Sequence, residues 1–224
     1  MQHGRNQSAN HDSAVPGRLI HCADGYRLLL GVALAGRGRR VRDCLAQLLE
    51  LTPGQRVLDL GCGPGTLALE LARRVTLPGQ VVGVDAAAEM VRAAEQSAAR
   101  YRLPVHFVVA AAQTLPFPGS SFDAAVSSLV MHHLPEHERL RAVRELVRVV
   151  RPGGRLVLAD FQPPRRWPGR ALTKHLLGHA MAHNDLEALV GLVITAGLTD
   201  VRLDRTPAGW IGVVTGHTPN AKSR

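Results

Sequence analysis

The chain has 224 residues, 46% hydrophobic and 20% charged, which excludes wholesale disorder and suits one α/β domain, with or without a small lid, better than two full domains. Its net charge of +9 comes from 27 basic and 18 acidic residues, a balance that fits nucleic acid or an anionic membrane surface. The arginines are spread along predicted helices such as 139–151 instead of forming one tract, and a solvated arginine-rich surface accounts for them equally well, so nucleic acid is disfavoured.

Residues 1–16 are polar and read as a flexible tail; they hold no apolar core of a signal peptide. Residues 17–53 read as an N-terminal helical lid. Tyr26 leads into the run LLLGVALAG, and a helix is predicted over Arg39–Leu51, with Val41, Cys44, Leu45, Leu48 and Leu49 on one face. Thr52-Pro53-Gly54 stops it. Strands are then predicted at 56–61, 81–85, 105–110, 122–128 and 155–161, alternating with helices at 66–74, 87–100 and 136–150. These strands are continuously apolar, as expected when helices cover both faces of a sheet. Such repetition implies a mostly parallel, doubly wound sheet.

The pattern changes after residue 161. Residues 162–183 hold three prolines and are expected to form an insert covering an acceptor. A helix is predicted at 184–196. Strands at 199–205 and 209–216, closed by turn residues, are predicted to pair antiparallel. The expectation is an α/β fold: a Rossmann-like, seven-stranded, mostly parallel sheet with the last strand pair antiparallel. Residues 54–216 form its ligand-binding domain and 217–224 a flexible tail. The longest nearly apolar stretches, Leu28–Gly36 and Ala188–Leu198, fall well short of the roughly 18–20 residues a membrane helix needs, so contact with a membrane would be peripheral. Cys22, Cys44 and Cys62 are odd in number and lack C-x-x-C spacing, which argues for a reducing cytoplasm and against a disulfide framework or cysteine zinc site. Monomer and homodimer both stay open.

The sharpest signal is Asp59-Leu-Gly61-Cys-Gly63-Pro-Gly65-Thr66, between a predicted strand and helix. Glycine permits the tight turn and close approach of a ligand to main-chain atoms. The helix beginning near Thr66 aims free N–H groups and its positive dipole end at that ligand. Asp85 ends the second strand, where an acid can accept two ribose hydroxyls. A dinucleotide fold wants G-x-G-x-x-G. Here the third glycine comes one place early, giving G-x-G-x-G.

VLDLGCGPGTLALEL resembles the first motif of the class I S-adenosylmethionine-dependent methyltransferases, and VVGVDAAAEMVRAA their second. TLPFPGSSFDAAVSSLVMHHL and LVRVVRPGGRLVLADF resemble the segments around their fourth and fifth strands. The likeness spans about residues 54–161 and is greatest to the small-molecule branch that includes ubiquinone/menaquinone-biosynthesis C-methyltransferases. It implies S-adenosyl-L-methionine as cofactor. Gly61, Cys62, Gly63 and Gly65 should border its methionine part, with Asp59 fixing the loop or receiving the ammonium. Asp85 should bind the ribose, with Ala86 beside it and Met90 packed on the adenine. The family often reads G-D-A-E before L-P-F; this chain has Ala110-Ala111-Ala112-Gln113, so Ala111 replaces the Asp expected at the adenine amino group. Adenine recognition then falls to Ala112, Gln113 and packing. Tyr26 resembles a tyrosine that some relatives place over the cofactor, a half-buried lid aromatic being the other reading. Ser127, near the end of the fourth strand, completes the expected cofactor contacts.

Methyl transfer needs a base only where the acceptor must lose a proton. His132 and His133, after the fourth strand, are the catalytic candidates, since a neutral imidazole there could take a proton from a phenol or enol. Asp160, ending the fifth strand, points toward the same place. His175, His179 and His183, at i, i+4 and i+8, would share a helical face as ligands, pocket lining or a wet surface. No partner carboxylate accompanies them, and no metal is expected. Ser127-Ser128-Leu129-Val130 stands where base-directed amino-methyltransferases carry Asn/Asp-Pro-Pro-Tyr/Phe, which counts against DNA bases. The expected function is methyl transfer to a small apolar or aromatic acceptor, with the C, O or N atom open. A non-catalytic S-adenosylmethionine-binding protein, toward which Ala111 leans, and an NAD-dependent dehydrogenase, disfavoured by the glycine spacing, are the alternatives.

Overall fold

A computed structural model describes residues 36–162 and 186–220. The elements are α1 (Gly38–Leu48), β1 (Arg56–Leu60), α2 (Thr66–Val75), β2 (Gln80–Asp85), α3 (Ala88–Ala99), β3 (Val105–Val109) and β4 (Phe122–Ser128). A 3-10 turn (Met131–His133) follows, then α4 (Glu136–Val149), β5 (Val150–Phe161), α5 (Leu186–Thr195), β6 (Thr199–Arg205) and β7 (Ile211–His217). The seven strands form one sheet in the order β3-β2-β1-β4-β5-β7-β6. β3, β2, β1, β4 and β5 pair parallel, and β7 pairs antiparallel with both β5 and β6. The doubly wound sheet and the antiparallel final pair are as the sequence predicts.

Helices cover both faces. On one side, Leu45 and Leu49 at the end of α1, with Leu67, Leu71 and Val75 of α2, pack on Val57, Val126, Val157 and Val213. On the other, Ala142, Val143 and Leu146 of α4 and Leu189 and Val193 of α5 pack on Leu58, Leu60, Leu156 and Leu158. Alternate residues of each central strand feed opposite cores, which is why the strands read as unbroken apolar runs. The edge strand β6 differs: most of TDVRLDR is exposed, and its charges discourage pairing with another chain.

The structure departs from expectation at several points, among them the predicted helix 39–51, which ends at Leu48, and the predicted strand 209–216, which starts at Ile211. β5 begins at Val150, five residues before the predicted start at 155, because Val150 pairs with Phe122 across an irregular register before the ladder resumes at Ala124–Arg155. β7 reaches His217, and Thr218 beyond it donates its N–H to the Gly154 carbonyl at 2.9 Å, so the chain stays tied to the sheet past the expected limit at 216. Helix α1, inside the segment read as a lid, is part of the sheet's own layer: Leu45 is 0% exposed, and Arg155 Nε donates to the Leu48 carbonyl at 3.0 Å. Tyr26, His175, His179, His183, the 1–16 tail, most of the 162–183 insert and residues 221–224 lie outside the described residues. Among those described, no helix is long and apolar enough to cross a membrane.

Candidate active site

The C-terminal ends of β1 and β4 open into a cleft. Asp59, Gly61, Cys62, Gly63, Pro64, Thr66 and Leu67 line one side; Gly38, Val41 and Arg42 of α1, Ser128, Leu129 and Ile211 line the rest. The loop leaves β1 through three residues with positive φ: Gly61 at 71°, Gly63 at 51° and Gly65 at 80°. At Gly61 a Cβ would run into the Val130 side chain, and at Gly65 it would lie 2.9 Å from Ala94 Cβ. Packing therefore demands these two glycines, on top of any need for a ligand to approach. Gly65 is the residue before α2, whose first N–H groups face the loop.

Asp85 closes the loop from below. One carboxylate oxygen accepts the Gly63 N–H at 2.9 Å and the other the Ala87 N–H at 2.9 Å. Each oxygen keeps a lone pair for a hydroxyl. Burial raises the Asp85 pKa, and the N–H groups of Ala87, Gly63 and Ala86 oppose that. Asp59 is buried, and its Oδ2 has no partner among the described residues. Burial first, and the Asp85 charge second, push its pKa up to about 7, against the Ala68 N–H. The same desolvation raises the Cys62 thiol well above its ordinary value, so Cys62 contributes packing and not a thiolate.

Beyond Asp85, Ala110 donates its N–H to the Asp85 carbonyl at 3.0 Å, which sets the 110–113 segment beside the end of β2. Met90, Ala112 and Gln113 are buried. Neither these residues nor half-buried Ala86 line the cleft, and Asp85 itself stands behind the loop and outside that lining. Ser128, not Ser127, reaches the cleft. Ser127 is buried on the opposite face of β4, with no partner for Oγ among the described residues. Leu129 turns the chain with φ of 61°, a strained conformation for a leucine, held by its N–H to the Ala159 carbonyl at 2.8 Å.

His132 and Asp160 form the second feature. His132 Nδ1 lies 2.7 Å from Asp160 Oδ1, and its backbone N–H donates to Asp160 Oδ2 at 3.0 Å. Both side chains are almost wholly buried, at 4% and 1% exposure. A carboxylate only accepts, so in the neutral imidazole the proton on Nδ1 faces Asp160 and Nε2 is left as the acceptor. The Phe161 N–H, 2.7 Å from Asp160 Oδ1, fixes the carboxylate further. The His132 ring meets the Phe161 ring edge-on at 4.8 Å, and Phe161 stacks on Trp210 at 5.3 Å. His133 is half-buried, its ring 3.9 Å from that of His132.

The family described as "Methyltransferase domain" matches residues 57–154. The 2-phytyl-1,4-naphtoquinone methyltransferase of Trichormus variabilis is 35% identical over 159 residues, covering 70% of this chain and 68% of its own. The chain belongs to the class I S-adenosylmethionine-dependent methyltransferases. The demethylmenaquinone methyltransferase of Desulfitobacterium hafniense is 29% identical over 221 residues, covering 88% of this methyltransferase and 87% of its own chain. A solved S-adenosylmethionine-dependent methyltransferase from Aquifex aeolicus shares the fold at a TM-score of 0.72 and 20% identity, over 89% of this chain and 100% of that one.

S-adenosylmethionine is therefore the cofactor of this methyltransferase, and the nicotinamide alternative falls. The residues present fit it. The cleft holds a left-handed glycine loop at a helix N-terminus and an orphaned acid oxygen on Asp59. Asp85 retains acceptor capacity behind the loop. Sequence reasoning noted Asp160 but not its partnership with His132, which lies 28 residues away in the chain. It also passed over Gly38, Val41 and Arg42. Their spacing of three and four puts them on one helical face, a signal that was available. Among the described residues no group of three or more His, Cys, Asp or Glu side chains could hold a metal.

Proposed function

We propose that this methyltransferase acts on a small quinone-type acceptor in its reduced, hydroquinone form, with His132 as general base and Asp160 as its orienting partner. Relatives named for quinone acceptors support the acceptor class. The observation that carries the base is the buried pair, which leaves one imidazole nitrogen free to receive a proton. A quinone ring is electron-poor and does not attack a cationic methyl donor. Its hydroquinone does once a hydroxyl proton is removed, and electron density then reaches the ring carbon as well as the oxygen.

When bound, S-adenosylmethionine supplies an electrophilic methyl group and a neutral thioether leaving group. The chain's own residues do the remainder. Asp85 and the glycine loop orient the ribose and methionine ends, with Met90, Ala112 and Gln113 around the adenine. His132 Nε2 takes the hydroxyl proton, and Asp160 stabilises the imidazolium that results. Phe161 and Trp210, stacked beside His132, offer a flat apolar wall that suits an aromatic ring. His133, half-buried beside His132, is a second polar contact. The enzyme so read is cytoplasmic, a monomer or homodimer, meets a membrane only peripherally where its acceptor carries an apolar tail, and does not use nucleic acid.

The test is turnover of reduced 1,4-naphthoquinones, with and without an isoprenoid tail, followed by mass spectrometry of the product. A gain of one methyl group is expected. Binding of S-adenosylhomocysteine with no methylation of any hydroquinone would overturn the acceptor assignment and favour a non-catalytic binder. His132→Ala should lower kcat by about 10²–10⁴-fold, the usual worth of a general base, with S-adenosylhomocysteine affinity unchanged. Parallel losses in both would make His132 structural.

A further inference from the structure

The sheet has two edges, β3 and β6, and the chain treats them differently. β6 carries Asp200, Arg202, Asp204 and Arg205, the usual protection of an unpaired edge. β3 reads Val-His-Phe-Val-Val and holds no Asp, Glu, Lys, Arg or Pro. Its pairing with β2 shows which backbone groups point outward. The Val81 N–H donates to the Pro104 carbonyl at 2.9 Å, and the Ala110 N–H to the Asp85 carbonyl at 3.0 Å. Alternate residues of a parallel strand bond to the same neighbour, so 104, 106, 108 and 110 face β2, and Val105, Phe107 and Val109 turn their N–H and C=O groups outward. The Val105 N–H is taken by the Leu103 carbonyl at 2.8 Å. The Val105 carbonyl and both backbone groups of Phe107 and Val109 have no partner among the described residues. Two exposed large apolar side chains stand at this edge, Tyr101 at 54% and Val109 at 50% exposure.

We propose that β3 is a dimer edge: it pairs antiparallel with β3 of a second copy of this chain, about a twofold axis at Phe107. The free groups are self-complementary about that residue. The Phe107 N–H and C=O of each copy bond the same groups of the other, and each Val109 N–H reaches the Val105 carbonyl across the axis. Charge fits this partner as well. Antiparallel pairing carries Arg100 and Arg102, just before the strand, toward the uncharged 110–113 segment of the second copy. Helix α3, which packs on β3 and β2, has Glu89 in its first turn and Arg100 at its C-terminal end. Two copies of α3 side by side and antiparallel therefore set acid against base, which favours this register. The contact between helices is needed, because so short a ladder falls short of the roughly 800 Å² per partner that a specific interface buries. One sheet then runs through both copies and their two clefts point in opposite directions, so neither site is blocked. The surface is independent of the cofactor and of the acceptor.

Sedimentation velocity on the full chain over a range of concentrations tests this. The mass should rise from 24.1 kDa toward twice that value as concentration increases. Val109→Pro removes an N–H that points away from β2, so the sheet of one copy keeps its ladder while the dimer loses two hydrogen bonds. That variant should raise the dimer dissociation constant about ten- to a hundredfold, the range for two lost backbone bonds, with the far-ultraviolet circular dichroism unchanged. Val109→Lys, a charge at the same exposed position, should weaken the dimer too and carries the test where proline disturbs the fold. Leu203→Lys on the opposite edge, where Leu203 is 48% exposed, should leave it intact. Amide hydrogen exchange gives a second readout: the Phe107 and Val109 amides should become protected as the dimer forms. A chain that stays at 24.1 kDa at every concentration overturns the proposal and leaves β3 to another protein's strand or to solvent. A dimer whose Phe107 and Val109 amides still exchange freely, or one that Leu203→Lys weakens and the Val109 variants do not, overturns it in favour of a different surface.

Discussion

Two carboxylates 26 positions apart in the sequence meet at one loop, and they behave differently because their surroundings differ. Asp85 has both oxygens occupied by backbone N–H groups, so it fastens the loop. Asp85→Ala should weaken S-adenosylhomocysteine by about 1–3 kcal/mol, the usual cost of unmaking a buried polar contact, measured by calorimetry. Unchanged affinity would remove Asp85 from the cofactor site. Asp59 has an unpartnered oxygen and a pKa near 7 in the folded chain. An unfolded Asp titrates near 4, so between about pH 4 and 7 the folded state binds the extra proton. The stability this group contributes is whole below that window and is lost as pH rises through it. Melts of the unliganded protein should therefore show a decline across that range that Asp59→Asn flattens. A decline identical in the variant would assign it to other groups. At neutral pH, binding a cationic head group beside Asp59 should also release protons, visible as a buffer-dependent heat.

At the scale of elements, α1 carries the clearest difference between chain and fold. Its apolar face is legible in Val41, Leu45, Leu48 and Leu49, but an apolar face does not say what it packs against. The sequence reading assigned it to a lid. In the structure it seals one face of the sheet and lines the cleft at once. Leu45→Ala should then cost about 2–5 kcal/mol in urea unfolding, as for a core leucine. A lid residue would cost far less. The strands from β1 to β4 match their predicted bounds within one residue, and β1, β2 and β3 are short runs rich in valine and leucine beside a glycine, a proline or an acid. The start of β5 was missed because Val150–Phe122 pairing continues the ladder through a Pro-Gly-Gly segment that reads as a turn.

The whole molecule resolves the meaning of its charge. Many described arginines are locally neutralised: Arg141 by Glu138, Arg148 by Glu145, Arg151 by Asp123 and Arg155 by Glu50. Several of these pairs are exposed, and their purpose is solvation more than stability. The expected behaviour toward RNA is weak, sequence-independent binding that falls steeply as salt is raised, measured by fluorescence anisotropy. Tight binding that persists at high salt would point to a dedicated nucleic-acid surface. The stacked Phe161–Trp210 pair and the His132–Asp160 pair both lie at the C-terminal edge of the sheet, next to the cofactor cleft. That placement follows from β7 running antiparallel between β5 and β6, which brings Trp210 to the edge where the parallel strands end.

The sequence by itself determined the doubly wound sheet, the glycine loop, the acid that closes β2 and the histidine candidates. Each of these is local: a period, a run or a motif within a few residues, and local spacing is what a linear chain carries. Only the tertiary structure decided that Asp160 holds His132, that Ser128 and not Ser127 faces the cleft, and that Arg42 of α1 lines the same cleft as Asp59. Those facts depend on strand register and on which helix face meets which strand, quantities set by the packing of segments distant in the chain.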